Sequence, residues 1–328
     1  MKKSIKIKFI GQYHDPHKQA YYRFLADRYN LIECESPDYI IDGGFSFRHV
    51  GYNCIKILLD AENCVPDFDQ YDYAIGSCDM VFEDRYVRVP WFVFSPYFYD
   101  IDKRSNVPDN NFLRRGFCSF VVSNSEFGDP MRTEFFRALS KYKPVASGGR
   151  YLNNVGGPVE DKLAFCRNYK FNIAFENSSF PGYTTEKIMD AYVAQTVPIY
   201  YGNPKVEVDF RRDSMIFVKD RDDIDRAISE IVRLDNDDDA YMEKVTASCM
   251  VELSPKVYEE RLESFLAHIF DQPYESAKRL CQYGHQAVMR RHLGYVRRID
   301  QIVRDSKLFH IATRLSSSLR GRRLHDQA

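Results

Sequence analysis

Thirty-four residues, Tyr169 to Gly202, dictate more about this chain than any other stretch: YKFNIAFENSSFPGYTTEKIMDAYVAQTVPIYYG. Phe171 to Phe175 is a short apolar run, long enough for a buried strand and too short for a helix. ENSSFPGY follows, dense in residues that favour turns. From Thr184 to Gln195 the apolar Ile188, Met189, Tyr192 and Val193 recur on one side of a helix of about three turns. Val197 to Tyr201 is apolar again and closes on Gly202. A strand, loop, helix, strand unit of this kind demands a parallel sheet. Its helix starts directly on the loop, so unpaired N–H groups and the positive dipole end face the strand's carboxyl end. Lys187, in the first helical turn, adds a full positive charge. The unit is a ready site for an anion, and a diphosphate fits it.

The rest of the chain repeats the theme. Strands are expected at 4–10, 39–43, 54–59 and 73–76, with a helix at 18–30, which makes a first α/β unit. Arg88 to Tyr99 is too aromatic and too interrupted by proline to assign. Asp100 to Asn110 is polar and reads as a linker. A second unit then begins with a strand at 117–123 and a helix at 131–142. It continues with a strand end at 145–149, the central unit, a strand at 217–218, a helix at 222–234 and a mostly helical 240–270. We expect three parts: 1–112, 113–275 and a basic helical tail, 276–328. No internal repeat is visible.

Composition excludes several classes. With 44% hydrophobic and 28% charged residues the chain is not disordered. No stretch approaches the roughly 18 apolar residues of a membrane helix. The opening MKKSIKIKFIG alternates lysine with apolar residues and reads as a strand, not a signal peptide. The eight cysteines contain no C-x-x-C, so they read as reduced thiols in a cytoplasmic setting. Lys278 to Ala328 holds 12 basic residues against three aspartates, a tail of +9 on a chain of net −1. Its paired arginines interrupt apolar helical positions, the pattern of an interfacial helix on anionic lipid. Packing on the acidic body is the alternative, and nucleic acid is not expected.

The string FENS, YTTEK, helix, VPIYYG resembles the donor-binding signature of the α1,3/α1,4-fucosyltransferases, the inverting family that uses GDP-fucose. The likeness covers roughly residues 54–220. It implies the GT-B architecture, two Rossmann-like α/β domains facing across a cleft, where the residues alone reach only two doubly wound halves. Animal members are anchored in the Golgi, so the missing anchor implies a bacterial type of enzyme. The family's SN-x-P-x-R string resembles Asn124 to Arg132, where SEFGD stands between Asn124 and Pro130, and its arginine contacts the donor diphosphate. Asn177, Tyr183, Glu186 and Lys187 match donor-lining positions. Glu186 is expected on sugar hydroxyls, since a carboxylate beside a diphosphate is costly, and Glu176 either joins the donor or holds the loop.

Inverting transfer also needs a base for the acceptor hydroxyl. Glu62 follows the strand 54–59 in LLDAENCVPDF, at a strand's carboxyl end, and a similar string in bacterial members carries the presumed base. Asp60 and Asp67 stay open as alternatives. Asp67-Phe68-Asp69, Asp100-Ile101-Asp102 and Asp220-Arg221-Asp222 satisfy D-x-D, a metal–diphosphate device of another glycosyltransferase fold, but three matches in an Asp-rich chain arise by chance. With Arg132, Lys187 and a helix dipole at hand, no essential metal or cofactor is expected. The resemblance implies transfer of fucose to the GlcNAc of an N-acetyllactosamine-type glycan, a Lewis-antigen reaction. An α1,4 linkage, another GDP-sugar, or a non-catalytic glycan-binding relative remain alternatives.

Overall fold

The computed structural model describes residues 2–11, 14–44, 47–103, 110–123, 128–251 and 256–305. The first unit contains β1 (Ser4–Ile10), α1 (Ala20–Arg28), β2 (Asn30–Glu33), β3 (Tyr39–Asp42), β4 (Ile55–Leu59), β5 (Tyr73–Gly76) and β6 (Tyr86–Arg88). All six strands are parallel, in the order β2-β1-β3-β4-β5-β6. β3, β4 and β5 are buried along their whole length. That is why they read as continuous apolar runs without alternation. The second unit contains β7 (Gly116–Phe120), α2 (Met131–Leu139), β8 (Val145–Ser147), α3 (Lys162–Cys166), β9 (Tyr169–Phe175), α4 (Glu186–Val193), β10 (Val197–Tyr201), β11 (Ile216–Phe217), α5 (Ile224–Asp235) and α6 (Asp238–Thr246). Its parallel sheet runs β11-β10-β9-β7-β8. The chain closes with α7 (Lys256–Asp271), α8 (Tyr274–Ala277) and α9 (Gly284–Asp305).

The first unit departs from the expected alternation. No α-helix lies between β3 and β6 among the described residues; loops and short 3-10 turns connect these strands. The missing layer comes from far along the chain. Leu262, Leu266 and Phe270 of α7 join the core that holds Tyr39, Ile57 and Tyr73. The Tyr39 and Phe270 rings lie 4.7 Å apart. Polar contacts fix the end of α7: Lys3 Nζ donates to the Phe270 carbonyl at 2.6 Å, and the Tyr29 hydroxyl donates to Asp271 at 2.7 Å. The unassigned aromatic segment 88–99 forms 3-10 turns at Trp91–Phe94 and Phe98–Lys103, whose Phe92 and Phe98 are fully buried beside Tyr258 of α7.

Both units turn their strand carboxyl ends toward one cleft. In the second sheet the chain leaves β7 for β8 on one side and returns as β9 on the other, so β7 and β9 flank the switch point. Open α/β sheets bind ligands there. The units are strapped together beside the cleft. Arg88 of β6 grips Asp209 with both nitrogens, at 2.9 and 2.5 Å, and reaches the Gly182 carbonyl at 3.2 Å. The Asp79 N–H donates to the Pro181 carbonyl at 3.1 Å. Gly182 has φ +89°, and a Cβ there would run into the Ser77 carbonyl. Only glycine allows this approach.

Candidate active site

The loop after β9 is built around one carboxylate. Glu176 is 0% exposed, and its Oε1 and Oε2 accept from the Thr185 N–H and hydroxyl, each at 2.7 Å. Thr185 in turn is the N-cap of α4, accepting from the Lys187 N–H. Lys187 Nζ completes the cluster, 3.1 Å from Glu176 Oε2, 2.9 Å from the Thr185 hydroxyl and 3.5 Å from Glu186 Oε1. Burial alone would lower the Lys187 pKa, but Glu176 and Glu186 outweigh it and hold the ammonium charged. Glu186 is opposed the same way: burial would raise its pKa, and Lys187 with Lys162 brings it below the ordinary value. These contacts suit the loop-holding alternative for Glu176, which is not among the residues lining the cleft.

Arg132, expected on the donor diphosphate, is held by protein groups in this structure. It starts α2 but is only 2% exposed. Its Nε donates to the Glu176 carbonyl at 3.0 Å, and Nη2 donates to the Phe175 carbonyl at 3.1 Å and Asn177 Oδ1 at 2.5 Å. Burial lowers its pKa, partly offset by Glu176. β9 ends in carbonyls that have no further strand partner, and Arg132 satisfies them. Asn177 is thereby fixed from both sides, since its own carbonyl accepts from the Asp129 N–H at 2.7 Å. Asn124 lies outside the described residues.

Across the cleft stands Glu62. Buried Asp60 ends β4 and accepts from the Glu62 N–H at 2.9 Å and the Cys64 thiol at 2.8 Å, a tight turn that thrusts Glu62 forward. Asp67 likewise caps its own turn through the Asp69 N–H at 2.9 Å. Of the three carboxylates, Glu62 alone reaches the facing unit: the Tyr183 hydroxyl donates to its Oε2 at 3.5 Å. Burial raises the Glu62 pKa, against the opposing pull of Lys187. The cleft, about 420 Å³, brings Glu62, Trp91 and Tyr97 of the first unit to Asn177, Tyr183, Thr185, Glu186, Lys187 and Asp190 of the second. A second hollow of about 380 Å³ lies wholly in the first unit, lined by Gly43, Gly44, Phe47, Leu58 and Tyr71. Glu62 lines both.

Several participants escaped the sequence reading. Thr185 carries a legible signal, a threonine directly before a helical run, which is an N-cap preference. Lys162, which holds cleft residue Asp190 at 2.6 Å, has none, because α3 is a five-residue helix. Trp91, the single tryptophan, sits in the unassigned segment and stacks on His14. Two D-x-D pairs are turn caps, Asp67 for the Asp69 N–H and Asp220 for the Asp222 N–H at 3.1 Å. Among the described residues no group of three or more His, Cys, Asp or Glu side chains is placed to hold a metal ion. Nor is any described helix long and apolar enough to cross a membrane.

Comparison with known proteins bears on this geometry. Residues 7–95 match the Alpha-(1,3)-fucosyltransferase FucT N-terminal domain, and residues 113–261 match Glycosyltransferase family 10 (fucosyltransferase) C-term, together more than two thirds of the chain. An Alpha-(1,3)-fucosyltransferase FucT of Helicobacter pylori is 33% identical over 276 residues, 72% of this chain and 57% of that protein. A GDP-fucose protein O-fucosyltransferase 3 of Homo sapiens is 34% identical over 144 residues, 40% of this chain and 30% of its own length. The chain thus spans about half the length, or less, of these curated relatives. A crystal structure of an α1,3-fucosyltransferase with GDP-fucose superposes at a TM-score of 0.68 with 27% identity, covering 84% of this chain and 93% of that one. The corresponding complex with GDP gives 0.68 and 28%, over 83% and 92%.

Proposed function

Since the chain belongs to glycosyltransferase family 10, the fucosyltransferases, we propose that it transfers L-fucose from GDP-fucose, with inversion, to the GlcNAc of an N-acetyllactosamine-type acceptor, forming an α1,3 linkage. The observation that carries this reading is the position of Glu62 on the boundary of two hollows. One hollow is walled by the α4 start and suits the donor; the other belongs to the first unit alone and suits the acceptor. A base acting in a single displacement has to touch both. Glu62 takes the proton from the acceptor hydroxyl as that oxygen attacks the fucose anomeric carbon. The bond from that carbon to the β-phosphate oxygen breaks, and GDP leaves with the electron pair.

Charge developing on the leaving diphosphate falls to Lys187 and the α4 N-terminus, a full charge and a dipole end in a partly buried cleft. Arg132 is a positioning residue on this reading: it holds Asn177 and the end of β9 in register with the donor. No essential metal enters the mechanism. On α9, exposed Val288, Tyr295, Ile299 and Ile302 are interleaved with Arg290, Arg291, Arg297 and Arg298, which supports peripheral contact with an anionic membrane face.

The test is fucose transfer from GDP-fucose to N-acetyllactosamine with EDTA present, comparing wild type with Glu62→Ala. Transfer by the wild type, lost in a variant that still binds GDP, is the expected result. A variant as active as the wild type removes Glu62 as the base. GDP binding without transfer to any lactosamine acceptor rejects the acceptor assignment and leaves the donor site standing.

A further inference from the structure

A second polar cavity, of about 550 Å³, lies between α9 and the face of the first sheet opposite α7. Its floor is unusual. In β4, Ile55, Ile57 and Leu59 face the α7 core, while Lys56 points the other way, in a strand that is otherwise apolar. Lys56 is 8% exposed, lines the cavity, and has no ion pair or side-chain hydrogen bond among the described residues. An isolated buried ammonium is among the costliest groups a core can hold. Burial lowers its pKa, and Arg290 lowers it further against the pull of Asp72.

The walls add positive charge. Arg290 and Arg291 project from α9, and Lys278 from the segment before it. Arg290 donates to backbone carbonyls, of Asp69 at 2.9 Å and of Cys281, so no carboxylate neutralises it. Two carboxylates also line the space. Glu275 pairs with Lys278 at 2.9 Å. Asp72 spends its oxygens on the backbone N–H groups of Lys56, Arg279 and Leu280, at 2.9, 2.7 and 2.9 Å. Four cations against two occupied carboxylates leave the cavity at +2.

We propose that this cavity binds a phosphate-monoester or diphosphate group, with Lys56 beneath it and Arg290 and Arg291 over it. A doubly charged tetrahedral oxyanion matches both the excess charge and the forked donors. The volume leaves room for an organic remainder beyond the phosphate. The site shares no lining residue with the donor cleft, while His49 and Gln70 line both it and the hollow assigned to the acceptor. Its ligand would tie α9 to the first unit.

The probe is inorganic pyrophosphate, titrated calorimetrically into the full chain, Lys56→Met, Arg291→Gln and Lys187→Gln. Because the donor cleft is itself proposed to take a diphosphate, Lys187→Gln is the background: the expected result is binding there that weakens about tenfold or more when Lys56→Met or Arg291→Gln is added. Thermal denaturation in phosphate-free buffer gives a second reading. Lys56→Met is expected to melt at or above the wild type there, having lost an unpaired buried charge, and not to be raised by pyrophosphate. Vesicles of phosphatidylcholine carrying phosphatidic acid or phosphatidylglycerol separate the sources. A preference for the monoester lipid that Lys56→Met removes assigns a lipid headgroup; pyrophosphate binding without that preference assigns a soluble phosphate. Phosphate binding insensitive to Lys56 in every assay, or a Lys56→Met variant strongly destabilised without phosphate, overturns the proposal.

Discussion

Glu176→Gln separates two functions that the same residue could serve. If Glu176 holds the donor loop, the substitution acts first on stability. The carboxylate accepts two hydrogen bonds from Thr185 and faces the Lys187 ammonium, all inside the protein. A glutamine amide of the same shape must turn its NH2 toward either the Thr185 N–H or the Lys187 ammonium, and both are donors. One charge-assisted bond is lost outright and one buried donor left orphaned, each costing about 1.5–3 kcal/mol. Because the lost contacts share one loop they do not add fully, and a total of about 3 kcal/mol is expected. At about 1.5 °C per kcal/mol for a chain of this size this lowers Tm by about 4–5 °C. The loop that carries Lys187 also loses its anchor, and GDP affinity drops as a consequence. Thermal denaturation and calorimetric GDP titration measure the two effects. Thr185→Val in a double-mutant cycle should couple to Glu176→Gln by about 1 kcal/mol or more. A variant with wild-type Tm and coupling near zero, yet weakened GDP binding, refutes the loop-holding reasoning and makes Glu176 a direct ligand contact.

Three further outcomes are expected. Burial raises the Glu62 pKa, so a base there must lose activity on acidification at a pH above that of an ordinary carboxylate. Lys187 opposes that rise; the acid limb of kcat/KM should therefore move to still higher pH in Lys187→Gln, and an unmoved limb rejects the coupling. Arg88→Ala leaves Asp209, 0% exposed, with the Tyr258 hydroxyl at 3.1 Å as its remaining side-chain partner, and should cost about 3–5 kcal/mol in urea unfolding. Arg88→Met with Asp209→Leu should recover most of that loss, and a double variant no better than the single one counts against the buried-charge explanation. Gly182→Ala adds both a positive-φ strain and a collision with Ser77, next to the Tyr183 that meets Glu62. It should raise the KM for GDP-fucose severalfold, and unchanged kinetics would show that the units do not need this close approach.

What the sequence made legible is what is local. The β9–α4–β10 unit could be read because its strands are buried on both faces and its helix is amphipathic, so periods of hydrophobicity map onto elements directly. β2 and β6 were missed for opposite reasons. Asn30–Glu33 is an exposed edge strand with little apolar signal, and Tyr86–Arg88 is three residues long. The packing of α7 on the first sheet joins segments more than 200 residues apart, which no window of sequence contains. Glu62 was legible through its position after an apolar strand, and through the resembling string. The bonds of Arg132 to the carbonyls of Phe175 and Glu176 were not legible, because those partners lie more than 40 residues later.

A diphosphate arriving in this cleft meets an uneven set of charges, and that unevenness indicates which contact gives way. Lys187 is shared between Glu176 at 3.1 Å and Glu186 at 3.5 Å. Withdrawing Glu176 would undo the Thr185 cap as well as the ion pair, at the cost worked out above. The Glu186 side chain is 39% exposed and makes only the longer contact, which places it among pairs worth about 1 kcal/mol or less. A charge-assisted bond to a phosphate oxygen exceeds that. On the proposed donor reading, Lys187 therefore keeps Glu176 and exchanges Glu186 for phosphate. The released carboxylate, still opposed by Lys162, is then free to accept from sugar hydroxyls. Adjacent residues on a helix diverge by about 100°; once their 3.5 Å contact is broken, Glu186 and Lys187 can turn to hydroxyls and to phosphate respectively on the proposed donor reading.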